Sequence, residues 1–161
     1  MATKHYPDGD YTLTEALKCL DKDFASEKEM CDYLEQNIDK FCVDILGLEY
    51  KSHKREYRIS GRGSRAKKID FFIQTMCGQN IAVEAKNPTF AGYELASAIG
   101  QVLGYICLFE SVEQKVDRVV LLSSKIDWVI PATIARFNLP IHFVALDKSK
   151  HLSLKVGQNG Q

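Results

Sequence analysis

No run of apolar residues in this sequence approaches the roughly 20 that a membrane span requires. Residues Met1 to Asp10 are polar, carry Asp8 and Asp10, and lack the apolar centre of a signal peptide. The expectation is a soluble, cytoplasmic protein with no membrane partner. Cysteine is sparse and odd in number. The five (Cys19, Cys31, Cys42, Cys77 and Cys107) are well separated, with no CxxC and no Cys/His cluster, which argues against a zinc site or a disulfide framework. Cys19, Cys31 and Cys107 fall in segments of helical apolar periodicity, where packed reduced thiols are expected. Net charge is absent too, with 21 Lys and Arg against 21 Asp and Glu, unlike a generic nucleic-acid coat. There is no internal repeat, no low-complexity tract and no dividing linker. The 161 residues therefore read as one domain over 1–161, large enough to bury about two-thirds of its unfolded surface.

What is present is ordinary globular composition, 45% apolar and 26% charged, with the charge unevenly spread. Lys51, Lys54, Arg55, Arg58, Arg62, Arg65, Lys67 and Lys68 lie within one short stretch, opposed only by Glu56. A basic stretch inside a neutral protein points to a local polyanion contact; a solvated hairpin is the plainer alternative.

Tyr11 to Phe24 reads as a short amphipathic helix, with Leu13, Ala16, Leu17, Leu20 and Phe24 on one stripe. A second helix starts at Ser26, where Ser26 and Glu29 stand at capping-box spacing. Met30, Tyr33, Leu34, Asn37, Ile38 and Phe41 follow at helical intervals, and Gly47 closes the region. Tyr50 to Ile59 alternates as a strand, followed by the polar loop Ser60-Gly61-Arg62-Gly63-Ser64. Lys68 to Thr75 and Asn80 to Lys86 are strand-like runs joined by Met76-Cys77-Gly78-Gln79. Asn87-Pro88 ends the second run. A long helix over Ala91 to Phe109, a strand over Arg118 to Ser123, a helix over Asp127 to Phe137 and a strand over Ile141 to Leu146 complete the order. A weaker strand is expected over Leu152 to Val156. Helices alternating with strands late in the chain imply an α/β fold whose sheet mixes an antiparallel meander with parallel strands.

A symmetric hairpin centred on Cys77 pairs residues whose numbers add to 154, as those of Asp70 and Glu84 do. Directly opposite residues have Cβ atoms about 4.5–5.5 Å apart. Lys86, two residues beyond Glu84, shares its face. Ile69, Phe71, Ile73, Ile81, Val83 and Ala85 take the other face, read as core. Two adjacent carboxylates repel unless something neutralises them, and a hard divalent cation is the obvious candidate. The plainer alternative is a surface salt bridge of Lys86 between two carboxylates. His5, His53, His142 and His151 match no ligand spacing, and Trp128, Phe137 and Phe143 read as core.

Ile69-Asp70, a turn, then Val83-Glu84-Ala85-Lys86 resembles the D…(D/E)xK signature of the PD-(D/E)xK nuclease superfamily. The order from Ser26 to Ser123 resembles that superfamily's αβββαβ core, to which this chain adds an N-terminal helix and a C-terminal αβ extension. Ser26-Glu27-Lys28-Glu29-Met30 is similar to the Glu-x-Glu-apolar stretch of Holliday-junction resolvases. Gln101-Val102-Leu103-Gly104-Tyr105 matches the QxxxY of exonuclease-like members. Ile69 stands where the family often has proline. The helix glutamate is either Glu27 or Glu29; the resolvase-like alignment selects Glu27, and Glu29 already has a capping role.

The resemblance implies a restriction endonuclease-like fold and an Mg²⁺-dependent (or Mn²⁺-dependent) deoxyribonuclease, in repair, recombination, restriction or a mobile element. Asp70 and Glu84 would hold the metal, with the Ala85 carbonyl as a further ligand and Glu27 serving a water or a second ion. Lys86 would position the nucleophile, and Gln101 and Tyr105 would tune the site. Lys54, Arg55, Arg58, Arg62, Arg65, Lys67 and Lys68 would neutralise DNA phosphates. A homodimer or higher homo-oligomer is expected, since symmetric dimers are the commonest assembly. Two other readings stay open. One is a catalytically silent nucleic-acid-binding module with the same fold; the other is a scaffold whose polar hairpin meets a protein.

Overall fold

The computed structural model describes residues 24–60, 66–88, 91–125, 129–146 and 153–156. The helix expected over Tyr11 to Phe24 lies outside them except for Phe24, which is buried. Helix α1 spans Glu27–Gln36. The Ser26 side chain accepts from the Glu29 amide at 3.0 Å, while the Glu29 carboxylate takes the Ala25 amide at 2.7 Å. The capping box thus forms with its return bond one residue early. The expected continuous helix breaks at Asn37, whose amide turns back to the Leu34 carbonyl. A single turn, α2 (Ile38–Lys40), then runs into a π-helical stretch, Phe41–Leu46. Gly47 ends it at φ +67, where a side chain would be strained.

Six strands follow: β1 (Tyr50–Ile59), β2 (Lys67–Thr75), β3 (Asn80–Lys86), β4 (Arg118–Ser123), β5 (His142–Leu146) and β6 (Ser153–Val156). They form one sheet in sequence order, antiparallel from β1 to β3, parallel from β3 to β5 and antiparallel again at β6. Helix α3 (Ala91–Ser111) crosses from β3 to β4, and α4 (Val129–Arg136) from β4 to β5. Both lie on the same face, as successive crossovers of one hand running in one direction require.

The sheet is buried on both sides. On one, Phe72, Ala82, Leu121 and Phe143 pack with Leu95, Val102 and Phe109 of α3 and Ile134 of α4. On the other, Phe71, Ile73, Ile81, Val83 and Val120 pack with Met30 and Leu34 of α1 and with Phe41 and Ile45. Buried aromatics of this kind cost about 3–5 kcal/mol each when truncated to alanine. Tyr57 stacks on Phe72 with ring centroids 4.4 Å apart.

One expectation about the faces is corrected. Ile69 packs with the α3 layer, whereas Phe71 and Ile73 pack with the α1 layer. The cause lies in β1 and β2 together. Pairing skips Glu56 and Asp70 between Arg55↔Phe71 and Tyr57↔Ile69, and Glu56 has φ +47. That twist exchanges the two faces, so Arg55 turns toward α1 and Tyr57 toward α3. Two smaller expectations also fail. Phe137 is 70% exposed, and Cys107, on the outer side of α3, is exposed rather than packed.

Candidate active site

The β2–β3 register carries Phe71↔Val83, Phe72↔Ala82, Ile73↔Ile81 and Gln74↔Asn80. The ladder stops one step short of Asp70 and Glu84. There the Asp70 carboxylate accepts the Ala85 amide at 2.7 Å, replacing the backbone partner that a continuing ladder would supply. Glu84, in line with Ala82 on the α3 face, is only 3% exposed. Lys86 donates to its carboxylate at 2.8 Å. This pair is not a surface salt bridge, because the Glu84 carboxylate is withdrawn from water and the ammonium is half-buried beside it.

Burial pushes the Glu84 carboxyl up, and the neighbouring Asp70 charge pushes it further, to about 7, against the pull of Lys86. Asp70 is also raised by burial, with the Ala85 amide, Lys86 and Arg55 working the other way. Burial disfavours the Lys86 ammonium, yet Glu84, Glu27 and Asp70 outweigh it and hold its pKa above the usual range. Lys86 is therefore a charged donor at neutral pH and not a free base. Two hard-oxygen carboxylates, each ionised only at a cost, fit a divalent cation of the Mg²⁺ type, which uses one or two carboxylates and keeps several waters. Among the described residues no three His, Cys, Asp or Glu side chains gather to hold a metal, so a site closed by protein ligands is not built here.

Glu27 stands exposed in the first turn of α1, and its charge reaches both Glu84 and Lys86. Glu29 is committed to the Ala25 amide. From the other layer α3 brings Tyr105, 5% exposed, whose hydroxyl accepts from the Gln101 amide. Burial raises the Tyr105 phenol, and the charges of Glu84 and Asp70 add to this, so it too stays a donor. The two helices thus flank the carboxylates from opposite faces of the sheet.

Sequence reasoning missed the residues that tie this end together. The Asn87 side chain donates to the Phe24 carbonyl at 2.8 Å and accepts from the Ser124 hydroxyl. The Ser124 amide in turn donates to the Lys86 carbonyl at 3.1 Å. Three chain segments meet here: the end of β3, the end of β4 and the entry to α1. The only available signal was an Asn directly after the ExK motif, which the following proline explained as a strand end.

The basic residues separate into groups. Lys54, Arg58, Lys67 and Lys68 are exposed, with Arg58 directly opposite Lys68. Arg55 is instead ion-paired to Asp32 and Glu35. Arg62 and Arg65 lie outside the described residues. A cleft of about 410 Å³ lined by Ile106, Glu110, Arg118 and His142 opens near the starts of β4 and β5. That is the opposite end of the parallel strands from Lys86, which pairs with Ser123 at the end of β4.

No protein-family model matches the sequence, and no curated protein sequence matches it. The fold, by contrast, is shared with solved structures. A repair endonuclease from Pyrococcus abyssi superposes with a TM-score of 0.54 at 16% identity, covering 79% of this chain and 49% of that one. The chain thus spans about half the length of that endonuclease. An FdxN element excision controlling factor protein from Anabaena variabilis is similar over 78% of this chain and 99% of its own, with a TM-score of 0.46 and 18% identity. EndoMS, in a complex with dsDNA, gives 0.41 and 12% over 69% of this chain and 44% of its own. At such identities the likeness with the endonuclease is one of fold. With its three-stranded meander, crossover helix α3 and parallel β4 behind helix α1, this chain has the restriction endonuclease-like fold.

Proposed function

We propose that this chain is a Mg²⁺-dependent (or Mn²⁺-dependent) deoxyribonuclease that hydrolyses phosphodiester bonds, with Asp70, Glu84 and Lys86 at its centre. The observation that carries the reading is the end of the β2–β3 ladder. There Asp70 gives up strand pairing to hold the Ala85 amide, and Glu84 keeps a buried carboxylate against Lys86. A fold shared with a repair endonuclease supports the same reading.

Asp70 and Glu84 would hold the ion, with the Ala85 carbonyl as a further oxygen ligand. Such an ion, when bound, supplies Lewis-acid polarisation of the phosphoryl group. The remaining work falls to side chains. Lys86, held as an ammonium, orients the attacking water and places positive charge where the phosphate gains negative charge. Tyr105, backed by Gln101, donates toward the phosphate from the α3 side. Glu27 accepts from a water at the α1 side. Lys54, Arg58, Lys67 and Lys68, with Arg62 and Arg65 in the adjoining loop, neutralise the substrate backbone. Such contacts position DNA without reading its bases, so recognition rests on shape or on a partner. Cutting both strands of a duplex calls for two centres, which a symmetric homodimer supplies. Among the described residues no helix is long and apolar enough to cross a membrane.

The test is incubation with labelled single-stranded, duplex and junction DNA in Mg²⁺, Mn²⁺ or EDTA, beside Glu84→Gln. Metal-dependent cleavage that disappears in the variant supports the reading, and the preferred substrate assigns the context. DNA binding without cleavage, together with no Mn²⁺ binding by calorimetry, would replace it with a catalytically silent binding module.

A further inference from the structure

Resting on the nuclease reading, we propose that Arg55 is a positioning residue of the active centre and not a phosphate contact. It locks helix α1 onto strand β1 and so sets where Glu27 stands against Glu84 and Lys86.

The guanidinium donates through one nitrogen to Asp32 at 2.5 Å and to Glu35 at 2.8 Å. These carboxylates lie almost one turn apart on α1, so a single side chain of the sheet grips two turns of the helix. Its planar head lies 5.7 Å from the ring centroid of Phe71, a fully buried side chain, and is held there as a cation–π contact. The grip extends at both ends. Lys28 donates to the second oxygen of Asp32 at 2.6 Å, and Lys28 adjoins Glu27. His53 contacts the second oxygen of Glu35 at 3.0 Å and the Tyr50 hydroxyl at 2.8 Å. Tyr50, His53 and Arg55 of β1 thus form one polar seam with Lys28, Asp32 and Glu35 of α1.

The backbone aims Arg55 into this seam. Its neighbour Glu56 has φ +47, a left-handed conformation that is strained for a non-glycine residue. Through that twist Arg55 faces α1, whereas Tyr57 and Ile59 face α3. The same twist lies opposite Asp70, the residue whose partner position in β1 is skipped. The alignment of Arg55 and the freeing of Asp70 from the ladder therefore share one structural cause. Arg55 also differs in charge from the rest of the basic stretch. Two carboxylates neutralise it, while Arg58 stands exposed directly opposite Lys68, a like-charge pair offset only by the Glu56 carboxylate 3.9 Å from Lys68.

The test compares Arg55→Met, Arg58→Met and the double variant Asp32→Asn/Glu35→Gln with the wild type. Three quantities are measured: amide exchange over residues 27–36, the salt dependence of duplex DNA binding in EDTA, and Mg²⁺-dependent single-turnover cleavage at saturating DNA. For Arg55→Met we expect α1 exchange faster by about tenfold or more, cleavage slower by about ten- to a hundredfold, and an unchanged salt slope. The double variant should reproduce this pattern. Arg58→Met should lower the salt slope by about one and leave α1 exchange as it was. Arg55→Lys keeps the charge but not the planar head over Phe71, and gives an intermediate result if Arg55→Met fails to fold. A salt slope reduced in Arg55→Met with α1 exchange unchanged overturns the proposal. So does faster exchange with cleavage intact, which would make the seam merely structural. A wild type that neither binds nor cuts DNA defeats the nuclease reading by itself. In that case unchanged α1 exchange in Arg55→Met overturns the clamp as well, and acceleration confined to α1 upholds it.

Discussion

Asp70 accepts the amide of Ala85 at 2.7 Å, so the first carboxylate of the site is bonded to the residue that separates Glu84 from Lys86. That bond needs an acceptor oxygen, not a charge. Asp70→Asn keeps a carbonyl for the Ala85 amide and removes a charge that burial disfavours and that pushes the Glu84 carboxyl up. The variant should fold with an unfolding midpoint equal to or above that of the wild type, while cleavage falls about a hundredfold or more. Urea titration beside a single-turnover assay checks both halves. A large loss of stability would mean that the charge itself holds the hairpin end.

Glu84 links stability to pH with an unusual sign. Its folded-state value is about 7 against an ordinary 4.5, so in that window the folded protein keeps a proton that the unfolded chain has released. Ionising Glu84 therefore costs stability. The cost is absent below about 4.5, grows as pH rises, and is complete above about 7. In EDTA the unfolding free energy from urea titration should decline across this range, by an amount of order 1 kcal/mol or more, and the midpoint with it. Mg²⁺ should restore it at pH 8 and add little at pH 5, because a cation competes with the proton for the same carboxylates. Glu84→Gln should flatten the profile; a wild-type midpoint that stays level without metal refutes the coupling.

The hairpin register and the order of elements were legible because they rest on short-range rules: a period of two, a Gly at the turn and apolar runs of strand length. The same arithmetic that places Asp70 opposite Glu84 describes the observed ladder from Phe71 to Gln74. What escaped was non-local. Nothing in Glu56 announces φ +47, the backbone twist beside which Arg55 and Tyr57 turn to opposite layers. Alternation alone therefore places Ile69 on the wrong face, and sequence proximity groups Arg55 with its basic neighbours although its partners lie 20 or more residues earlier. The break at Asn37 escaped for a related reason. Its side chain bonds back to the Tyr33 carbonyl at 2.9 Å, a local competition with the helix that periodicity alone does not reveal.

Asn87 is the clasp at the open end of the site. Its amide donates to Phe24 and its carbonyl accepts from Ser124, so Asn87→Asp sets a carboxylate against the Phe24 carbonyl and adds charge beside Glu84 and Asp70. A stability loss of about 1–3 kcal/mol is expected. Ser124→Ala leaves the Phe24 bond in place and should cost about 1 kcal/mol. Both are read from urea midpoints. Equal losses in the two variants would contradict the view that the bond to Phe24 is the more costly one to break.

Gly100 and Gly104 lie exposed in the middle of α3, and a Cβ at either would meet nothing within 4 Å. Glycine inside a helix costs about 0.8–1.0 kcal/mol relative to alanine, with part of that arising from the freedom of the unfolded chain. Nothing within the described fold offsets this. Gly100→Ala and Gly104→Ala should therefore each raise stability by about 0.5–1 kcal/mol, and nearly additively, unless some external group uses the space. The glycines flank Gln101 and precede Tyr105, so that group would be substrate. If either alanine variant is more stable yet cuts DNA more slowly, with a raised KM and an unchanged kcat, then the nucleic-acid backbone passes closely over this turn of α3. If activity is unchanged, the approach comes from the β1–β2 side alone.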